Sequence, residues 1–229
     1  MKITTNWIYG LVIISILVIP AYLLSKKPEG PLPGQEIADL GRDHVTDIAD
    51  VTYNSDPPTS GPHFPMWAKK GIYDRLISDG YLIHSLEHGY IIISYDCTKP
   101  TISYPWKVNN VSAHDEPTME STDSGQLLKH MKLVPTGEMA AFTPETAPDV
   151  EVELPDEFKS ESCKSLVNKL SEFVPQFERI LIVPRINMET PITLTAWNRI
   201  EKLESVDNDK ILEFIKAFHN KGPEKTVEN

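Results

Sequence analysis

Two cysteines in 229 residues, only 11 glycines and a shortage of basic side chains set the first limits on this chain. Lysine and arginine number 22 against 33 aspartates and glutamates, giving a formal net charge of −11. Nucleic-acid binding relies on Lys and Arg neutralising phosphates, so this balance argues against it. It argues equally against broad adsorption to anionic lipid. No phosphate-cradling glycine loop and no dinucleotide fingerprint occurs. Ser60 and Ser85 lack the G-x-S-x-G elbow of a serine nucleophile. Internal repeats are also absent. Beyond the first 25 or so residues, about 200 remain, enough to bury one core without metals or disulfides as staples.

Charge is missing altogether from residues 8–25, IYGLVIISILVIPAYLLS. A helix of that length covers roughly 27 Å, about one hydrocarbon core. Trp7, Tyr9 and Tyr22 sit near its ends, where aromatic rings favour the headgroup region. The run is longer than a secretory h-region and has no A-x-A-like site before Lys26. Residues 1–7 are therefore read as a flank and 8–25 as a transmembrane anchor, the chain's contact with the membrane. An N-terminal anchor of this kind places the following domain outside the cytoplasmic membrane, single-pass and extracytoplasmic. Two cysteines able to pair in an oxidising compartment fit that location.

Residues 26–36, KKPEGPLPGQE, read as a tether, and 37–224 as one compact mixed domain of the α+β class. A weak strand is expected at 45–53. The run at 54–65, NSDPPTSGPHFP, holds four prolines and must be irregular but stiff. A short helix or turn at 81–89 ends on Gly89, and YIIISY at 90–95 is a buried strand. Residues 98–162 carry seven prolines and twelve acidic against five basic side chains. They read as an acidic surface insertion with a short helical piece near 126–131. A helical stripe at 165–173, strands RILIVP and ITLTAW, and a final helix capped by Asp207 complete the domain. Residues 225–229 read as a tail.

The histidines carry the chemistry. His84 and His88 are four apart and share one helix face, a spacing that suits two ligands of one metal ion. His63, in the stiff proline loop, is placed as a third ligand. His44 in GRDHV and Met66 are further candidates, the latter as a soft thioether. Copper or zinc is the implied cofactor, and Glu87 is expected to orient an imidazole from outside the ligand shell. His114, His130 and His219 read as solvated. His84–Ser85–Leu86–Glu87–His88 also matches H-x-x-E-H, the inverted zinc-peptidase pattern, with Glu87 as general base and Glu161 or Glu172 as a distant ligand. The main rival, ahead of the peptidase, is a non-catalytic interaction domain whose histidines knit the core while the insertion meets a protein partner. Catalytic residues are not assigned. Cys97 and Cys163 flank the insertion, and a bridge between them would contribute about 4 kcal/mol by loop closure; a cysteine-containing copper site is the alternative.

GRDHV (41–45), YNSDPPTSGPHF (53–64), LIHSLEHGYIIISYDC (82–97), VPR (183–185), PITLTAWNR (191–199) and FIKAFHNKGPE (214–224) are collinear. Together they resemble the family designated domain of unknown function 3105. The resemblance implies a small, often membrane-anchored prokaryotic domain and brings no catalytic assignment. SGPH and HSLEHG are signature blocks of that family, consistent with His63, His84 and His88 forming one site, and the resemblance says nothing of 98–162.

Overall fold

The structure is a computed structural model and describes residues 30–100, 128, 141–148 and 152–226. The expected flank and anchor at 1–25 lie outside those residues. Among the described residues, no helix is long and apolar enough to cross a membrane. The described residues from Pro33 onward form one compact unit.

In chain order the strands and helices are β1 (Gln35–Glu36), β2 (Trp67–Ala68), β3 (Gly71–Ile72), α1 (Asp79–Glu87), β4 (Ile91–Tyr95), β5 (Ala141–Phe142), α2 (Glu161–Ser171), β6 (Ile180–Pro184), β7 (Ile192–Ala196), β8 (Arg199–Leu203) and α3 (Asn208–Phe218). Six strands form one mixed sheet in the order β1-β8-β7-β4-β6-β3, and β2 pairs with β5 separately. β4 lies at the centre, parallel to β6 with Ile93 opposite Ile182, and antiparallel to β7 with Ile93 opposite Leu194. β4, β6 and β7 are buried along their whole length. Strands covered on both faces need apolar or small side chains at every position, which is how these three runs read.

Alternation along the strands divides the core in two. Ile91, Ile93, Ile180 and Ile182 face α2 and α3, meeting Leu166, Leu170, Ile211 and Phe214. Ile92, Leu181 and Val183 face the other way, toward Phe64, Tyr81, Leu82 and Leu86 of α1 and its loop. Each fully buried Ile or Leu contributes about 1.5–3 kcal/mol. The Asp207 cap is present, its carboxylate accepting from Lys210 N at 3.1 Å. The disulfide Cys97–Cys163 is formed, with Cα atoms 5.5 Å apart.

Several boundaries differ from expectation. The tether at 26–36 ends early, because Gln35–Glu36 pair with β8 and Glu36 meets Arg199 at 2.7 Å. Residues 45–53 hold no strand; just before them lies an isolated parallel bridge of His44 with His63. The segment at 98–162 is not purely a surface insertion. Phe142 and Leu128 are buried, Phe142 packs against Tyr73 and Tyr81, and α2 starts before Cys163 under a Ser160 cap. The tail at 225–229 is tied at its start, where Arg179 donates to Thr226 O. Most of the expected helical piece at 126–131 lies outside the described residues, but Leu128 is helical.

Candidate metal centre

All nine residues of α1 are buried, including Asp79, His84, Ser85 and Glu87. Buried polar side chains are the informative kind, since each must find a partner. The helix starts on Ser78, whose hydroxyl accepts from Gly80 N at 3.3 Å. Gly80 lets the proline loop dock: a Cβ there would lie 2.5 Å from the Phe64 ring, and Phe64 N donates to Gly80 O at 3.1 Å. Arg185, 1% exposed, fixes the same joint from below. Its guanidinium donates to Asp79 Oδ1 at 2.6 Å and to Asp56 Oδ1 at 2.5 Å, joining the end of β6 to α1 and to the loop. His44 is placed by backbone pairing, with His63 N donating to Asp43 O and Val45 N to His63 O.

These joints bring His44, His63, His84 and Glu87 into one group, with one ligand-capable atom of each lying within 4.8 Å of all the others. His63 is fully buried and His84 nearly so, whereas the His44 side chain is 49% exposed. His63 Nδ1 donates to Gly61 O at 2.8 Å, and His84 Nδ1 to Phe64 O at 2.7 Å. A carbonyl can only accept, so both Nδ1 atoms carry the proton and each neutral ring turns its Nε2 lone pair inward. His63 Nε2 then meets Glu87 Oε2 at 2.9 Å without hydrogen-bond geometry between them. A lone pair facing a carboxylate oxygen at that distance calls for a shared proton or a cation. Burial holds the His63 imidazole down at about 4 and that of His84 down at about 3. Burial pushes the Glu87 carboxyl up, and the nearby Glu224 charge adds to this. Arg42 Nη1, 3.4 Å from Glu87 Oε1, works against that rise. Buried imidazoles that resist protonation supply the neutral nitrogen that a metal ion requires.

A second group adjoins the first. His84 Nε2 lies 3.1 Å from His88 Nε2, which in turn lies 3.2 Å from Glu224 Oε2. His84, His88 and Glu224 form their own set within 4.8 Å. Trp67 packs its ring 5.2 Å from His84 and 4.5 Å from His88.

The structure thus brings His44, His63 and His84 together and sets His88 in the adjoining group. Glu87 lies directly beside His63, its Oε2 2.9 Å from His63 Nε2, because position 87 turns back toward the loop. Met66 is buried in the apolar cluster with Ile48, Phe64 and Ala68. His219 is the acceptor for Arg179 N at 3.3 Å, and His114 and His130 lie outside the described residues. For the H-x-x-E-H pattern, α1 is only nine residues long and Glu87 faces His63. The carboxylate that reaches the His84–His88 pair is Glu224, while Glu161 is exposed and pairs with Lys164 at 2.6 Å. Sequence reasoning missed Arg42 and Glu224 as neighbours of the site; the one available signal for Glu224 was its place in the block FIKAFHNKGPE.

A mixed α/β domain with a buried His/Glu cluster that could hold a metal ion, cross-linked by one disulfide, is the class these features define. The disulfide suggests an extracytoplasmic setting. The chain belongs to the family described as "Protein of unknown function (DUF3105)", which matches residues 44–121 and 157–229. The match takes in His44, His63, His84, Glu87, His88 and Glu224, and its gap falls inside the acidic segment. No curated protein and no solved structure matches the chain.

Proposed function

We propose that this domain binds one transition-metal ion, copper or zinc, on the outer side of a membrane to which residues 8–25 anchor it. The ligands are Nε2 of His63 and His84 and the Glu87 carboxylate, with His44 completing the shell from the solvent side. One observation carries the reading: both buried rings donate Nδ1–H to a backbone carbonyl, so each turns its Nε2 lone pair inward, that of His63 to 2.9 Å from Glu87 Oε2. Histidine ligands generally show this second hydrogen bond, which fixes tautomer and ring orientation. Imidazole suits both zinc and copper. Glu87 in place of a thioether removes the tilt toward Cu(I), and Met66 serves packing.

Titration calorimetry on untagged protein with Zn(II), Cu(II) and Cu(I) tests this. His63→Gln and Glu87→Gln should each weaken binding about tenfold or more, while His114→Ala and His130→Ala should leave it unchanged. If the wild type binds none of these ions tighter than micromolar, the histidines are hydrogen-bonded core residues and the chain is an interaction domain.

A further inference from the structure

His84 has one nitrogen to offer, because Nδ1 is committed to Phe64 O. That single Nε2 belongs both to the group with His44, His63 and Glu87 and to the group with His88 and Glu224. One lone pair cannot hold two ions. Resting on the metal-binding reading above, we propose that a single Zn(II) or Cu(II) ion has two alternative positions on this chain and passes between them without leaving His84.

The second position is built by the chain rather than by chance approach of a loose tail. Glu224 N donates to Glu87 O at 3.1 Å and Asn220 N to Gly89 O at 2.9 Å, so the segment after α3 is laid along the end of α1. Arg179 clamps both partners, donating to His88 O and, at 2.5 Å, to Thr226 O. Gly222 is required by this contact, since a Cβ there would collide with the Glu87 carbonyl. Each position has two kinds of ligand: buried ones that hold the ion and one half-exposed one that meets solvent. His44 is 49% exposed and Glu224 46%. An ion can therefore be taken up through one exposed ligand and given up through the other, the chemistry of a carrier rather than of a closed structural site. A partner of matching chemistry offers a histidine, carboxylate or thiolate to the ion at either exposed ligand.

Co(II), whose visible spectrum reports its ligands, tests this on the full-length untagged chain. His44→Gln and Glu224→Gln alter half-exposed side chains and leave the backbone joints in place, and circular dichroism checks their fold. The wild type should bind one Co(II) per chain. Both variants should also bind one, with two distinct spectra whose mixture reproduces the wild type. Release to a competing chelator should slow in whichever variant lacks the exit ligand. Two ions per wild-type chain, or a Glu224→Gln spectrum and release rate identical to wild type, would overturn the two-position proposal alone. No Co(II), Zn(II), Cu(II) or Cu(I) on the wild type would overturn the metal-binding reading itself.

Discussion

Acid should unfold this domain through two histidines before most carboxylates begin to titrate. His63 and His84 are buried and neutral, held down at about 4 and about 3 against an ordinary value of 6.5. Between pH 6.5 and those values the unfolded chain binds protons that the folded chain refuses, so stability falls as pH falls. It is fully present above 6.5 and stops falling only below the folded values. From pH 7 to 4.5 each ring loses about 2–3 kcal/mol at 1.36 kcal/mol per pH unit, or about 5 kcal/mol together. That is comparable to the whole stability of many domains, about 5–15 kcal/mol. Glu87 acts in the opposite sense, since its raised carboxyl takes up a proton earlier in the folded state and returns part of the loss. Asp39, lowered from 3.8, contributes above that value and loses its contribution only at still lower pH, outside the window. Urea unfolding at pH 7.0, 6.0, 5.0 and 4.5 with a chelator present measures the effect, at constant m. The His63→Gln/His84→Gln variant should lose most of the slope. A wild-type curve flat to within about 1 kcal/mol over this range would refute the burial argument, as would an unchanged slope in the variant.

Three further outcomes follow from the joints around the site. Arg185→Met should destabilise the domain by about 3–5 kcal/mol in the same urea assay, because the carboxylate of Asp79, 1% exposed, loses its guanidinium counter-charge. Gly80→Ala should lower stability by about 1–3 kcal/mol, since the Phe64 ring must move; metal affinity measured by calorimetry should fall with it, because Phe64 O orients His84. Reducing the Cys97–Cys163 disulfide, which spans 66 residues, should cost about 4 kcal/mol by loop closure. Thermal melts with and without reductant measure this, alongside mass spectrometry of alkylated thiols.

Most of what the sequence made legible lay in runs long enough to have a period or a cap. IIISY, ILIVP and ITLTA announce buried strands, and Asp207 before an apolar stripe announces α3. The two-residue strands β1, β2 and β3 have no period to read and exist only because a neighbour pairs with them. β8 was hidden because three of its five residues are charged, although Ile200 and Leu203 turn inward. Phe142 and Leu128 belong to a segment whose proline and acid content signals solvent. Their burial is decided by Tyr73, Tyr81 and Ser78, far away in the chain.

The division of the site into two groups follows from helix geometry alone. At about 100° per residue, Glu87 stands about 60° to one side of His84 and His88 about 40° to the other. A spacing of four therefore puts two histidines near each other, but it cannot also turn both toward the same third partner when position 87 is polar. The loop that carries His63 arrives on the side of Glu87, because Gly80 admits Phe64 one turn earlier. The segment after α3 arrives on the side of His88, because Glu224 N and Asn220 N find the carbonyls that the end of α1 leaves free. His84, between the two, is the residue both approaches must share. Substituting it should remove both groups at once, whereas His63 and His88 should each be separable from the other.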